Sequence, residues 1–286
     1  MNRSLKMTAS LQGGYNTPMA SIDSAGVPIH YEVIGEGPPI VLVHGVLSSL
    51  EALWDNTGWI DFLVALGRTV VGLDCRGHGL SGKPHNPDAY EGNQMADDVL
   101  AVMDAISIER GDLMGYSMGG KLAINLLTRF PNRFNSVIVG GAGLPLVSDA
   151  PMRPVVAAAL SADDTSTIRD TTAMWMRNYA ESRPHDPLSL AGLDNDLKAL
   201  SACYGRYFRD LEKLDETALR TVSVPVLVVV GDQDDELPFA QQLAETVPGA
   251  QLLVLAGEDH PSAIRAQHFK DAVAAFLTTQ HSVSLT

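Results

Sequence analysis

Gly115-Tyr116-Ser117-Met118-Gly119-Gly120 lies between a short apolar run, Asp112 to Gly115, and a run with helical character, Lys121 to Phe130. A bare Gly-x-Ser-x-Gly is often only a glycine turn, so the flanking runs decide its meaning. A strand that turns sharply into a helix exposes the serine at the turn, and small glycines leave room for its strained backbone. The amino end of the helix also favours negative charge that develops beside it. The stretch therefore predicts a strand, turn and helix with Ser117 as a nucleophile.

Short apolar runs recur along the chain, and longer stretches compatible with helices follow most of them. This alternation is typical of buried parallel strands joined by helices, so we expect an α/β fold with a mainly parallel, doubly wound sheet. Two further runs, Met19 to Asp23 and Ile29 to Ile34, flank Ser24-Ala25-Gly26 and predict an antiparallel hairpin at the start. The expected parallel strands are Ile40 to His44, Thr69 to Asp74, Asp112 to Gly115, Val137 to Gly140, Val224 to Gly231 and Gln251 to Leu255.

The 286 residues suit one catalytic unit that carries an insertion. Residues 1–20 are polar and predict a flexible N-terminus. Residues 21–143 and 222–286 contain the strand-like runs and form the expected α/β core. Residues 144–221 lack such runs, so we expect an inserted helical cap, in which prolines separate the helical stretches: Pro151, Pro154, Pro184 and Pro187.

Charge and cysteine content restrict the classes of partner. A net charge of −14 opposes binding to nucleic acid or to anionic membranes. Cys75 and Cys203 lie far apart and outside any Cys-x-x-Cys pattern, which indicates neither a disulfide framework nor a zinc site. No apolar run approaches the roughly 18 residues of a membrane span, and no signal peptide follows Met1. We therefore expect a cytoplasmic protein without metal or organic cofactor; the oligomeric state stays open.

A serine nucleophile needs a base, and the base needs an acidic partner. His260 follows the last apolar run on a loop, whereas His268 and His281 lie in or beyond the terminal helical stretch, with His268 the alternative base. The run ending at Gly231 is followed by four acids, and spacing alone does not choose among them: Asp232, Asp234, Asp235 and Glu236.

Three motifs resemble those of the α/β-hydrolase superfamily, in its branch of serine esterases, perhydrolases and carbon–carbon bond hydrolases. His44-Gly45-Val46 is similar to the oxyanion turn of that family, Asp74 to Ser81 to its DxRGxGxS loop, and Gly115 to Gly120 to its GxSxGG elbow. The family's GxxDxxxP loop selects Asp234 as the acid. The resemblance runs from about Ile29 to the C-terminus and is thin across residues 144–221.

The resemblance also implies roles for other residues. The backbone N–H groups of Val46 and Met118 would hold a tetrahedral oxyanion, which requires two fixed donors. His44, Arg76 and His78 would brace loops. Asp259 stands where many members of the family have glycine, which places the geometry of the histidine loop in question. The expected pocket residues are Leu47, Leu144, Met174 and Trp175.

These features predict acyl transfer to Ser117 from a small uncharged ester, with His260 as base and Asp234 as its partner. Serine at the elbow argues against a dehalogenase or an epoxide hydrolase, which carry aspartate there. Three alternatives stay open: a cofactor-free perhydrolase of the haloperoxidase type, a carbon–carbon bond hydrolase with the same three residues, and a noncatalytic ligand receptor.

Overall fold

A single eight-stranded sheet organises the computed structural model, which describes residues 20–144, 196, 198–203, 206 and 216–283. The strand order is β1-β2-β4-β3-β5-β6-β7-β8. The strands are β1 Ala20–Ser24, β2 Val27–Ile34, β3 Pro39–Val43, β4 Thr69–Leu73, β5 Gly111–Tyr116, β6 Phe134–Gly140, β7 Val226–Gly231 and β8 Gln251–Leu255.

Six helices flank this sheet among the labelled elements of the described residues. They are α1 Trp59–Ala65, α2 Gln94–Ala105, α3 Met118–Arg129, α4 Leu237–Thr246, α5 His260–Ala263 and α6 Gln267–Val283. Shorter helical turns occupy Glu51–Asp55, Pro87–Tyr90, Pro131–Arg133 and Glu216–Thr221.

The sheet is parallel except at its first two strands. β1 and β2 form an antiparallel hairpin, and β2 also pairs antiparallel with β4. Ala25 and Gly26 connect the hairpin with φ of 51° and 81°, the positive pair that a two-residue turn between twisted strands requires. All the other pairings are parallel. The mainly parallel sheet and the initial hairpin predicted from the sequence are thus confirmed.

Helices cover both faces of the sheet and explain why its strands are apolar throughout. Val41 and Val43 of β3 pack in one core layer together with residues of α2, α3 and α4. Ile40 and Leu42 of the same strand pack in the other layer, together with residues of α1 and α6. Full burial of such a side chain contributes about 1.5–3 kcal/mol relative to exposure. A central strand of this sheet therefore has no solvent-facing side on which polar residues would alternate.

A buried ion pair braces the loop after β4. Arg76 donates to both carboxylate oxygens of Asp98 on α2, with both distances 2.6 Å, and both side chains are 1% exposed. The guanidinium also donates to the carbonyls of Ser24 and Ala89. These contacts assign Arg76 the structural role that the sequence predicts for it.

Most of the predicted cap, with Met174 and Trp175, lies outside the described residues, as do residues 1–19. The described part at the C-terminal end of the cap contacts the core segment 85–95. His85 Nε2 lies 2.9 Å from Asp196 Oδ2, and Arg206 pairs with Glu91. The division into core and cap stays a prediction. No helix in the described ranges combines the length and the apolar character needed to cross a membrane.

Candidate active site

Ser117 lies in a sharp turn between β5 and α3. Its backbone has φ 56° and ψ −116°, a conformation that a residue with a side chain rarely adopts. The turn is held on both sides, because Ser117 N–H donates to the carbonyl of Gly140 at 2.8 Å and Lys121 N–H donates to the carbonyl of Ser117 at 3.0 Å. Neighbouring elements thus maintain this strained backbone, as expected where strain serves function.

Close backbone packing around Ser117 requires the glycines of the motif. A Cβ on Gly115 would lie 2.0 Å from the carbonyl oxygen of Gly119, and one on Gly119 would lie 2.0 Å from that of Val43. Gly45, just after β3, packs against the serine itself, since a Cβ there would lie 3.3 Å from the Cβ of Ser117. The glycines therefore let β3, β5 and the start of α3 approach more closely than side chains allow.

His260 and Asp234 form a hydrogen-bonded pair at the ends of two loops. His260 Nδ1 lies 2.8 Å from Asp234 Oδ2, and Asp234 Oδ1 accepts the backbone N–H of Glu236 at 2.9 Å. The carboxylate is 2% exposed and the imidazole 32%. Burial lowers the pKa of His260, but the hydrogen bond to Asp234 and its negative charge outweigh burial and raise it overall. With Nδ1–H as the donor, Nε2 carries the lone pair that a general base needs.

The other acids of this loop have different environments. Asp232 is exposed, and its Oδ1 accepts the N–H of Gly257 at 2.8 Å, which ties this loop to the histidine loop. Asp235 is exposed. Gly231 allows the two loops to touch, because a Cβ on it would lie 2.0 Å from the carbonyl oxygen of Glu258. The structure therefore brings Asp234, rather than Asp232 or Asp235, into contact with His260.

Asp259 caps the helix that begins at His260. Its Oδ1 accepts the N–H of Ser262 at 3.0 Å, and Ser262 Oγ accepts the N–H of Asp259 at 2.9 Å. This reciprocal capping box satisfies two helix-end donors and orients the first turn of α5. Where the sequence departs from the glycine of the resembling family, the aspartate thus holds the backbone of His260.

Tyr116 links the strand of the elbow to the histidine loop. Its hydroxyl donates to the carbonyl of His260, and the two ring centroids are 5.4 Å apart. His260 therefore packs beside the residue that precedes Ser117. No hydrogen bond joins Ser117 to His260 in the described residues; catalytic hydrogen bonds in unliganded sites are often long and tighten when substrate binds.

The two predicted oxyanion donors are the sequence neighbours of Ser117 and of Gly45. Met118 is the first residue of α3, so its N–H lies among those without an acceptor inside the helix. Val46 follows Gly45, the residue that contacts Ser117. Of the predicted pocket residues, Leu47 is half-buried with φ 62°, and Leu144 is buried in the core layer that also contains Met118. Their contact with a substrate stays a prediction.

The remaining histidines near this edge have structural contacts. His44 Nδ1 lies 2.7 Å from the carbonyl of Gly45, and its Nε2 accepts the N–H of Cys75 at 3.0 Å. Burial lowers the pKa of His44, and burial together with the charge of His44 lowers that of His78 to about 3. Both rings therefore brace loops in the neutral form. The alternative base His268 is exposed on α6.

The family of the chain follows from comparison with known proteins. A family model described as the alpha/beta hydrolase fold matches residues 38–265, well over half of the chain. The chain belongs to the α/β-hydrolase superfamily. The sheet order, the elbow after β5 and the loops after β7 and β8 are therefore those of an α/β-hydrolase, and several of its relatives are named as hydrolases.

Relatives of this α/β-hydrolase are named for different substrates. 2-Hydroxymuconate semialdehyde hydrolase from Pseudomonas sp. (strain CF600) is 28% identical over 93% of this chain and 95% of that protein. 3-Oxoadipate enol-lactonase 2 from Acinetobacter baylyi (strain ATCC 33305 / BD413 / ADP1) is 31% identical over 73% of this chain and 78% of that protein. The crystal structure of the enol-lactonase from Burkholderia xenovorans LB400 covers 90% of this chain and 99% of its own, with TM-score 0.75 and 26% identity.

Three contacts of this α/β-hydrolase were beyond sequence reasoning: the Tyr116 hydroxyl on His260, the Asp259 cap, and an ion pair between Lys121 and Glu236. The sequence offered one sign of the ion pair: Lys121 lies in the largely buried helix α3, and the serine motif does not explain a lysine there. Within the described ranges, no cluster of three or more histidine, cysteine or acidic side chains has an arrangement that could hold a metal ion.

Proposed function

We propose that this α/β-hydrolase cleaves small uncharged carboxylic esters through an acyl-enzyme on Ser117. The observation that carries the proposal is the hydrogen bond between His260 Nδ1 and Asp234, 2.8 Å long, on the loop that packs against the serine elbow. Ser117 is half-buried, and a histidine oriented by a buried carboxylate beside such a serine is the arrangement that activates a hydroxyl for acyl transfer.

In the first half of the reaction, Ser117 Oγ attacks the ester carbonyl carbon while His260 Nε2 takes the hydroxyl proton. The N–H groups of Val46 and Met118 stabilise the negative oxygen of the tetrahedral intermediate. His260 then gives its proton to the leaving alcohol, and the carbon–oxygen bond to that alcohol breaks. Asp234 stays ionised and stabilises the imidazolium during this transfer.

In the second half, a water molecule attacks the acyl carbon of the Ser117 ester, and His260 Nε2 takes its proton. A second tetrahedral intermediate uses the same two N–H donors. Its collapse returns the proton to Ser117 Oγ and releases the carboxylic acid. Water and ester are the reactants, and acid and alcohol are the products, so the proposed cycle requires no cofactor.

The preference for an uncharged substrate rests on charge. The whole chain carries −14, and Lys121, the cation whose charge acts on His260, is paired with Glu236. An anionic substrate would therefore approach a negatively charged protein whose nearby lysine is already partnered. The predicted apolar cap, which includes Met174 and Trp175, agrees with a small uncharged acyl group.

Carbon–carbon bond hydrolysis is the second candidate. Similarity to 2-hydroxymuconate semialdehyde hydrolase, over 93% of this chain, is the observation that favours it. Similarity to an enol-lactonase favours the ester reading, because a lactone is a cyclic ester. A perhydrolase would use the same three residues with peroxide in place of water at the acyl-enzyme.

The test compares catalytic efficiency across these reaction types. We expect measurable kcat/KM for p-nitrophenyl esters and simple lactones, with an optimum at short to medium acyl chains, and much lower values for a β-diketone cleaved between carbons. Ser117→Ala should lower ester turnover by about 10⁶-fold, because the nucleophile is lost while the fold remains. A fluorophosphonate probe should label the wild-type chain and leave Ser117→Ala unlabelled.

Each contrary outcome contradicts a different part of the proposal. Ester turnover by Ser117→Ala within about tenfold of the wild-type rate excludes the acyl-enzyme, since triad nucleophiles contribute far more. A kcat/KM for the β-diketone above that of the best ester indicates carbon–carbon hydrolysis. Turnover that depends on peroxide and exceeds hydrolysis indicates a perhydrolase. Absence of labelling and turnover indicates a receptor.

A further inference from the structure

A partly buried ion pair connects the two elements that carry Ser117 and Asp234. Lys121 Nζ lies 3.4 Å from Glu236 Oε1, and the two side chains are 9% and 16% exposed. Lys121 is one turn into α3, the helix that begins after the serine, whereas Glu236 lies two residues after the aspartate. The mechanism proposed above uses neither side chain.

Each member of the pair is also bonded through its backbone to a residue of the proposed triad. Lys121 N–H donates to the carbonyl of Ser117 at 3.0 Å. Glu236 N–H donates to Asp234 Oδ1 at 2.9 Å, and the other oxygen of that carboxylate contacts His260. A displacement of Lys121 or Glu236 is therefore a displacement next to the nucleophile or to the acid.

Stability alone gives little reason for a buried lysine and a largely buried glutamate at these positions. Both charges lose hydration on burial, and well-packed apolar residues in place of a buried ion pair often leave stability equal or higher. Glu236 Oε2 is buried and has no hydrogen-bond partner in the part of the chain that the structure describes, which adds to the cost. Lys121 lies among buried apolar residues of α3, such as Leu122.

We propose that Lys121 and Glu236 are a positioning pair: their ion pair clamps the loop after β7 to α3, keeps His260 aligned with Ser117, and balances opposite charges beside the imidazole. This inference rests on the proposed function, because it assigns His260 as the base. Lys121 and Glu236 act through His260 and Asp234 and do not touch the reacting atoms.

The charges that face His260 come from the elements packed around its ring. Asp234 and Glu236 lie on the loop after β7, Lys121 on α3, and the phenol of Tyr116 on β5. Glu258 and Asp259 precede the histidine in its own loop. After burial and Asp234, Glu236 raises the pKa of His260 and Lys121 lowers it. Removal of the Glu236 charge should therefore lower the pKa of His260, and removal of the Lys121 charge should raise it.

The experiment measures kcat, KM and the pH dependence of kcat/KM with a p-nitrophenyl ester. In Glu236→Gln and in Lys121→Met we expect kcat to fall by about 10- to 100-fold with little change in KM, the loss typical of misplacement by about 1 Å. The acid limb of kcat/KM, which reports the base in the free enzyme, should move to lower pH in Glu236→Gln and to higher pH in Lys121→Met. The double variant should lose less than the product of the two single losses.

Two controls separate this role from general stabilisation. Lys121→Arg keeps the positive charge, so the acid limb of kcat/KM should stay at its wild-type pH. This variant also tests the role of the charge if Lys121→Met does not fold. Arg129→Met breaks a second ion pair of α3, to Asp97 at 2.8 Å, farther along the helix, and should change neither kcat nor the pH profile.

An acid limb that stays in place in Glu236→Gln, together with an unchanged kcat in that variant, would overturn the positioning role. Equal losses in Arg129→Met would also overturn it, since the effect would then be one of helix stability. Full activity of Ser117→Ala would instead refute the proposed function, so the two failures are distinguishable.

Discussion

At the scale of single residues, Ser117 shows a conflict between stability and the proposed chemistry. Its φ of 56° and ψ of −116° lie where a side chain costs on the order of 1–3 kcal/mol, and glycine does not meet this cost. The surrounding hydrogen bonds and the close packing of Gly45 hold the residue there. The strain places the hydroxyl at the head of the turn, beside the amino end of α3.

We therefore predict that Ser117→Gly is more stable than Ser117→Ala by about 1 kcal/mol. Both variants lose the hydroxyl, but only glycine relieves the positive φ, and this relief exceeds the extra backbone entropy of glycine in the unfolded chain, about 0.4–1 kcal/mol. Urea denaturation followed by circular dichroism measures the difference. Equal stability of the two variants would show that this turn stores no strain.

At the scale of elements, the loops after β7 and β8 bring the histidine to its acid. Gly231 lets the loops pack backbone to backbone, Asp232 bonds across them to Gly257, and Asp259 caps the short helix α5. A cap of this kind stabilises a helix end by about 1 kcal/mol. The loop after β7 thus contains neighbouring aspartates with different tasks: Asp232 joins the loops and Asp234 holds the imidazole.

This difference predicts that the same substitution has a large effect at Asp234 and a small one at Asp232. Asp234→Asn should lower kcat by about 10⁴-fold, because the amide can present an N–H where His260 Nδ1–H needs an acceptor. Asp232→Asn keeps an oxygen for the N–H of Gly257 and should retain activity near that of the wild type. Steady-state kinetics of both variants, with circular dichroism to verify folding, checks the prediction. A greater loss in Asp232→Asn than in Asp234→Asn would show that the assignment of Asp234 as the acid is wrong.

At the scale of the whole molecule, neutral histidines buried at the loop edge make stability depend on pH. Burial and the charge of His44 lower the pKa of His78 to about 3, while in the unfolded chain a histidine takes up its proton near pH 6.5. Between these values the unfolded state binds more protons, so stability falls as the pH falls. Asp74, whose pKa is lowered to about 2 by His30, His44 and two backbone N–H groups despite burial, adds its loss only at lower pH.

We expect the free energy of unfolding of the wild type to fall by about 2 kcal/mol more than that of His78→Asn between pH 6.5 and 4.5. Asparagine offers a donor to the carbonyl of Arg76, which His78 Nδ1 contacts at 3.0 Å, and does not titrate. His268→Asn, on the exposed side of α6, should keep the wild-type dependence. Urea unfolding at several pH values measures these slopes; identical slopes in His78→Asn and the wild type would refute the prediction.

The sequence by itself determined the features that depend on neighbours along the chain. Parallel strands covered on both faces must be apolar, so runs such as those ending at Gly115 and Gly231 could be predicted as strands. The observed strand bounds differ from the predicted ones by at most three residues. The serine elbow could be predicted for a similar reason, because its strained turn and its close backbone contacts require glycines at adjacent positions. Only the resemblance selected one aspartate among four acids, and Met174 and Trp175 remain predictions outside the described residues.

Only the tertiary structure decided which distant side chains meet. Tyr116 and His260 are separated by 144 positions in the sequence, and Lys121 and Glu236 are separated by 115. No local sequence pattern predicts either contact. Lys121 lies within an otherwise apolar stretch, and its partner lies among four acids with the same charge. Helix and strand propensities act over a few residues, whereas the pairing of these charges depends on how α3 and the loop after β7 pack on the sheet. That packing places Asp234, and not Asp232, against the imidazole.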